Sequence, residues 1–269
     1  MSNVRPDPEV QNNMYNHYKQ LQEKFDTQII NVYKITEFDS DFLLLAIDWL
    51  TQLGNDLKTN HNIDNENLLP TRTIKLLTTV LEQGPSRAKY QPVYNQSIVL
   101  LVSYFASTLS SIFNNTLTFY LSNIDKLPKN LAKEEFKLNL FELSELNYDL
   151  STEIGRIIAR KSDISFQDMG SISKAFKQFF NIKIQWDKNV SNIIVSQACR
   201  HAIVHNGEEV DHKCIAQINH AKDRQLKLNL QENEKITFNK DEIKMVGESM
   251  KKYVSNLCSS LLKTLSNEN

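Results

Sequence analysis

Glycine is scarce in this chain, and that scarcity limits the folds that the chain can adopt. Only 6 glycines occur in 269 residues, whereas average usage of about 7% would give roughly 19. Folds built on glycine-rich turns, such as Rossmann domains, P-loop NTPases and β-sandwiches, are therefore disfavoured. No proline follows Pro128, and long helices require stretches of this kind. We predict an all-α or mostly α fold.

The net charge of -1 conceals an uneven distribution along the chain. Residues 1–85 carry 7 Lys+Arg against 12 Asp+Glu, whereas residues 86–269 carry 24 against 20. Segment 156–188 alone has 7 basic and 3 acidic residues. A solvated face is the ordinary interpretation of such a run, and a basic surface beside a phosphate-handling site is the alternative.

The text Gln83-Gly84-Pro85-Ser86 interrupts the helical pattern and is the predicted domain boundary. It separates an N-terminal acidic helical region, 1–85, from a helical domain, 86–269. The acidic region is interpreted as an extra helical subdomain. The alternative hypothesis is that its charge covers the basic face and restrains activity.

The chain is predicted to be cytoplasmic, with no membrane association. Three cysteines without a Cys-x-x-Cys pair indicate neither a disulfide framework nor a thiolate zinc site, and the N-terminus lacks the apolar stretch of a signal peptide. Residues 92–124 carry no charge, but Ser103, Ser107, Ser110 and Asn114 form a polar stripe at helical spacing. We therefore predict a buried central helix there and not a membrane span.

Helices are predicted along most of the chain, with one short β-hairpin near the C-terminus. Leu226, Leu228 and Leu230 alternate with polar residues, and a second short strand is predicted at 235–238. Asn239 and Glu242 resemble a capping box that begins the last helix. The apolar stripe of that helix is expected in the core, with homodimer packing as the alternative. The predicted helices span about 9–33, 39–58, 71–82, 92–124, 133–146, 150–159, 171–180, a segment capped at 187, 189 or 191 and ending at 206–207, 212–219, and 239–265.

Four of the six histidines fall between residues 201 and 220. His201 and His205 are spaced to chelate a metal from one helical face. The zincin signature needs Glu directly after the first His, however, and Ala202 occupies that position. We predict no metal site and no cofactor.

The text from Arg200 to Gly207 reads Arg-His-Ala-Ile-Val-His-Asn-Gly and is the candidate site. It falls in the last turns of a predicted helix, where the macrodipole favours a cation and a histidine is suited to proton transfer near neutral pH. From these residues alone, a satisfied helix C-terminus is the favoured interpretation, with His205 bonding a last carbonyl and Arg200 in a structural ion pair.

This motif resembles that of the HEPN superfamily, in which Arg is followed after four to six residues by His. The resemblance includes the upstream stretch 164–167, the His205-Asn206-Gly207 text and the downstream pair Val210-Asp211, and it covers roughly 92–265. It implies a helical bundle of four or five helices. It also implies a metal-independent endoribonuclease that acts as a toxin or defence effector.

The resemblance assigns roles to individual residues. His205 would be general base or acid, Arg200 would hold the scissile phosphate, and His201 and Asn206 would support the site or bind RNA. A homodimer would supply the second His and Arg, and an antitoxin or companion protein is a further expected partner. The products would be a 2′,3′-cyclic phosphate and a 5′-OH.

Relatives often place a polar residue on an earlier helix facing the motif, and several residues here are candidates for that position. The alternative function is a non-catalytic HEPN-like module for dimerisation or for binding RNA or protein. The candidates on earlier helices are Ser103, Ser107, Asn114, Glu142 and Glu145.

Overall fold

The structure, a computed structural model, describes residues 8–61, 69–83, 85–123, 127–128, 131–133, 135–145 and 153–267. These residues form α-helices joined by turns, with a single 3₁₀ turn at Leu131–Lys133 and one isolated antiparallel bridge in place of strands. The mostly α prediction is confirmed. The helices are α1 Pro8–His61, α2 Leu69–Gln83, α3 Pro85–Ser122, α4 Leu140–Glu145, α5 Ile154–Lys161, α6 Met169–Phe180, α7 Lys188–His205, α8 His212–Asn219 and α9 Lys240–Asn267.

Helix α3 is the centre of the bundle and packs against α1, α5, α7 and α9. Its apolar residues recur at helical spacing, so that Ile98, Leu101, Phe105 and Leu109 are all fully buried. The segment Gln91–Ser122 is long and apolar enough to cross a membrane, yet 56% of its apolar window is buried by the other helices. The predicted buried central helix is therefore confirmed.

The N-terminal half of α1 belongs to the same core as α3 and α9. Phe25 and Ile29 are buried in the common apolar cluster. Tyr18 and Thr116 hydrogen-bond to each other at 2.6 Å across the α1–α3 interface. Burial raises the pKa of the Tyr18 hydroxyl well above its usual range. Helix α2 ends at Gln83 and α3 begins at Pro85, and the domain division there stays a prediction.

Helix α9 closes the bundle with the apolar stripe that the sequence indicated. Ile243, Val246, Met250 and Leu261 are fully buried, so this stripe is core and not an open dimer surface. The capping box is also confirmed, because Asn239 Oδ1 accepts a hydrogen bond from Glu242 N–H at 2.9 Å and Glu242 Oε2 accepts from Asn239 N–H at 3.0 Å.

The helix predicted over 133–146 is shorter than expected. Residues 135–139 are irregular, and α4 occupies only Leu140–Glu145. Asn139 explains the late start, because its Oδ1 accepts from Glu142 N–H at 2.8 Å and its own N–H donates to Glu142 Oε2 at 3.0 Å. This reciprocal cap begins a helix at residue 140, and the predicted end at Leu146 lies outside the described residues.

The predicted β-hairpin of 226–238 is wrong. A positive φ value of 50° at Lys227 bends the chain where the first strand would have to be extended. Segment 233–236 instead pairs with 208–210, the turn that follows α7: Ile236 N–H donates to Glu208 O at 2.8 Å, and Val210 N–H donates to Glu234 O at 3.0 Å. The leucine alternation reflects separate contacts, since Leu226 is buried while Leu228 is exposed.

Candidate site at the end of helix α7

Helix α7 carries the Arg-His motif, and its first turn is fixed by a side-chain cap. Asp187 Oδ1 accepts hydrogen bonds from the backbone N–H groups of Asn189 and Val190, both at 2.9 Å. Burial raises the pKa of the Asp187 carboxyl, but these hydrogen bonds outweigh that effect and leave the pKa below its usual range. Of the three predicted caps, Asp187 is the one that acts.

The helix ends where the sequence predicted, at the Asn206-Gly207 pair. Asn206 N–H donates to Ala202 O at 2.9 Å, and the Asn206 side-chain amide donates to Glu209 O at 2.7 Å. Gly207 has a φ of +61°, a conformation that glycine adopts without steric cost. Asn206 therefore shapes the turn after the motif while its side chain stays exposed at the surface.

Arg200, His201 and His205 are presented by this helix end on the sides that do not enter the core. Ala198, Cys199 and Ala202 are buried, whereas His201 and His205 are exposed and Arg200 is half-buried. At 3.6 residues per turn, Arg200 and His205 are about 140° apart around the axis. His201 lies between them in rotation, and only about 40° from His205.

The two imidazoles form a pair. Their ring centroids are 4.9 Å apart with a tilt of 48° between the ring planes. Both rings are exposed, so both are accessible to a ligand and to water. A single helix end thus presents two imidazoles, the side chain most often used for general acid–base catalysis.

Arg200 and His201 also line a cavity of about 450 Å³, whereas His205 is not among its lining residues. The α7 wall is formed by residues at helical spacing, Ile194, Gln197, Arg200 and His201. The Nε of Arg200 is buried and has no hydrogen-bond partner in the described structure. The structural ion pair expected for a merely satisfied helix end is also not seen at Arg200 in the described part of the chain.

Several cavity residues come from other elements and were not predicted as site residues. Asp168 and Gly170 belong to the start of α6, Trp186 precedes α7, and His220 follows α8. His220 was noted only as one of the clustered histidines. Gln197 of α7 also lines the cavity. Its place there could have been found from the sequence, because it lies three residues before Arg200 on the same helix.

The polar side chain of α3 that reaches the turn after the motif is Asn95, which the sequence did not single out. Asn95 is 0% exposed. Its amide donates to Glu208 Oε1 at 3.1 Å and to Ile236 O at 3.0 Å, and its oxygen accepts from Gln91 Nε2 at 3.1 Å. Asn95 therefore connects the central helix to both segments that follow α7.

The earlier-helix candidates have other contacts. Glu142 pairs with Lys161 at 2.6 Å and with Arg160 at 3.4 Å. The hydrogen bond from Lys161 and the backbone bond from Asn139 lower the pKa of the Glu142 carboxyl. Ser103 and Ser107 are exposed on α3, and the Asn114 side chain lies against Gly155 of α5. The side chain of Glu145 lies outside the described residues.

The basic residues of 156–188 lie at the surface, as expected for either interpretation of that segment. All seven are exposed. Arg156 pairs with Glu153 at 3.3 Å, and Arg160 and Lys161 pair with Glu142. These pairs partly offset the positive charge of α5.

No group of three or more His, Cys, Asp or Glu side chains within the described ranges is arranged to hold a metal ion. All three cysteines are free and buried. Cys199 of α7 shares a hydrogen bond with Cys214 of α8, and that bond together with burial raises the pKa of the Cys199 thiol well above its usual range.

Comparison with known proteins adds no assignment to this geometry. The chain matches no protein-family model, no curated protein and no solved structure.

Proposed function

We propose that this protein is a metal-independent endoribonuclease of the HEPN type that cleaves RNA by attack of the 2′-OH on the adjacent phosphate. One observation carries the proposal: an arginine that makes no ion pair with any described residue and two exposed imidazoles occupy one helix end beside a cavity. As part of this proposal, the protein acts in the cytoplasm as a toxin or defence effector. A homodimer and an antitoxin or companion protein are its expected assembly and partner.

The chemistry needs two proton transfers and one neutralised phosphate. A base removes the proton of the 2′-OH, the 2′-oxygen bonds to phosphorus, and an acid protonates the departing 5′-oxygen. The products are a 2′,3′-cyclic phosphate and a 5′-OH. Such proton transfers typically contribute about 10²–10⁴-fold each to the rate.

His205 serves as one proton carrier, and two groups compete for the second role. His201 of the same chain is one candidate, because its ring lies 4.9 Å from the His205 ring. The His205 of a second copy is the other, as the homodimer of the HEPN resemblance implies. Arg200 contributes a planar fork that pairs with two phosphate oxygens, which lysine does not reproduce.

The decisive experiment is cleavage of RNA by the purified full chain in excess EDTA, with analysis of the product ends. We expect cyclic phosphate ends, a loss of about 10²-fold or more in His205→Ala, and a clear loss in Arg200→Lys despite the retained charge. His212→Ala is the matched control, since His212 is an exposed histidine at the start of α8 outside the cavity lining. Full cleavage by a folded His205→Ala variant would remove His205 from the mechanism.

Mixing the wild-type chain with excess His205→Ala chain identifies the second proton carrier. If the His205 of a second copy fills that role, a mixed dimer carries only one His205, and cleavage will fall well below that of the same amount of wild-type chain alone. If both imidazoles act within one chain, cleavage will stay proportional to the amount of wild-type chain, and His201→Ala alone will abolish it.

The alternative function is a non-catalytic module that holds RNA or protein. It predicts no cleavage at any protein concentration, with the Arg200 and His205 variants changing only the binding of a partner. Electrophoretic mobility of labelled RNA, measured on the same variants, separates this outcome from catalysis.

A further inference from the structure

The cavity beside Arg200 has the size of a small-molecule site. Its volume of about 450 Å³ is within the range of roughly 300–1,000 Å³ typical of ligand pockets. Its walls are the 165–168 loop, the start of α6, one face of α7 and the end of α8. A pocket of this size accommodates one nucleoside, whereas a nucleic-acid helix is far too wide.

A buried amide on the cavity wall lacks a hydrogen-bond partner. Gln197 is 8% exposed, and its Oε1 accepts from Met169 N–H at 3.0 Å. That bond fixes the amide and leaves Nε2, which has no partner among the described atoms. A buried donor left unsatisfied costs about 1–3 kcal/mol. A ligand that brings an acceptor into the cavity would recover that energy.

The charge and shape of the remaining wall favour a flat, uncharged group in the interior. Trp186 lines the cavity and is 49% exposed, so its indole face can stack on a planar ring. Asp168 also lines the cavity, and its carboxylate accepts from Ser171 N–H at 2.6 Å as the cap of α6. Its negative charge opposes a phosphate close to the start of α6.

We propose that the cavity binds one unpaired nucleobase of an RNA strand, stacked on Trp186 and hydrogen-bonded by Gln197. The attached phosphate then lies beside Arg200 and His201, which line the same cavity. This inference rests on the proposed ribonuclease function, because it identifies how that enzyme seats its substrate. It predicts recognition of single-stranded RNA, whose bases are free to leave the helical stack.

Tryptophan fluorescence tests the pocket independently of cleavage. The chain has two tryptophans, and Trp49 is exposed on α1, so a Trp49→Phe protein reports Trp186 alone. We expect saturable quenching by adenosine or uridine 5′-monophosphate and none by ribose 5-phosphate. His212→Ala should quench equally, since His212 does not line the cavity.

Two substitutions test the contacts. Gln197→Glu keeps the oxygen for Met169 N–H but removes the amide donor, and we expect at least tenfold weaker nucleotide binding. Gln217→Glu, another glutamine of the cavity wall, is the matched control. Trp186 is exposed, so the Trp186→Ala variant should still fold. It should weaken binding of a labelled RNA pentamer, measured by anisotropy, at least tenfold.

The outcomes separate the pocket from the ribonuclease. Base-dependent quenching by a protein that never cleaves RNA supports the pocket and overturns the enzyme. RNA cleavage without quenching, and with unchanged cleavage positions in Trp186→Ala, supports the enzyme and overturns the pocket. Equal quenching by ribose 5-phosphate shows a phosphate site and also overturns the nucleobase proposal.

Discussion

Substitution of Asn95 is expected to destabilise the protein more than any exposed change in the Arg-His motif. The Asn95 amide makes three hydrogen bonds, to Glu208, Ile236 and Gln91. In Asn95→Ala the Ile236 carbonyl, on a residue that is 0% exposed, loses the side-chain donor from α3. An unsatisfied buried acceptor costs about 1–3 kcal/mol, and the small cavity adds to that.

The Glu208 carboxylate contributes less to this loss. Its side chain is 24% exposed and also lies 3.5 Å from Lys235 Nζ, so water and lysine replace part of the lost bond. We expect the free energy of unfolding to fall by about 2–4 kcal/mol in Asn95→Ala. Asn123→Ala is the control, because Asn123 directly follows α3 and its side chain makes only a local bond to Phe119 O. It should change stability by less than about 1 kcal/mol.

The isosteric variant Asn95→Asp tests the reasoning more sharply. It preserves volume but places a carboxylate against the Glu208 carboxylate and the Ile236 carbonyl. At pH 7 it should therefore be less stable than Asn95→Ala. Its deficit should shrink as the pH falls, because a protonated carboxyl again donates a hydrogen bond. Urea unfolding followed by circular dichroism, with the slope held constant, measures each value. Wild-type stability in both variants would refute the role assigned to Asn95.

Three further predictions concern the helix packing, the α7 cap and the thiols. Gly155→Ala should destabilise the fold by about 1–3 kcal/mol, because a Cβ at Gly155 would lie 2.6 Å from the Asn114 Cα of α3; an unchanged melting temperature would contradict this close approach. Asp187→Ala should lower the free energy of unfolding by about 0.5–2 kcal/mol at pH 7, and Asp187→Asn should lower it much less. Because the pKa of Asp187 is lowered in the folded state, the stability advantage of the wild type over the alanine variant is present above the unfolded-state pKa and is lost as acid protonates the folded carboxyl. Urea midpoints measured at decreasing pH will show this loss. The three cysteines are buried, and burial raises the pKa of the Cys258 thiol to about 11. They should therefore react with a thiol reagent only as fast as the protein opens, and rapid reaction of the native protein would contradict their burial.

Local backbone chemistry explains which elements the sequence could predict. Asp187, Asp211 and Asn239 begin helices where expected, because each cap needs only a side-chain oxygen and an N–H group two or three residues ahead. The termination at Asn206-Gly207 is local in the same sense. The hairpin prediction was wrong because segment 233–236 pairs with 208–210, more than 20 residues away. The alternating leucines carry no information about that pairing.

Some residues of the candidate site can be predicted from the local sequence, whereas others reach the site only through tertiary packing. The motif fixes where Arg200, His201 and His205 lie along α7, and helical spacing places Gln197 on the wall that Arg200 shares. Trp186 and Asp168 reach the cavity only because α6 and α7 pack together. Their contribution depends on tertiary structure, which composition and periodicity do not specify.

The end of α7 separates residues that support the fold from residues free to act on a ligand. Asn206 and Asn95 hold the turn after the helix through hydrogen bonds to Glu209 and Glu208, so their loss should change both stability and any activity. His201 and His205 project into solvent, so their truncation should leave the free energy of unfolding within about 0.5 kcal/mol of wild type. A loss of activity with unchanged stability in the histidine variants therefore indicates a role in the chemistry. Loss of both activity and stability in the two asparagine variants indicates a role in holding the turn after the helix.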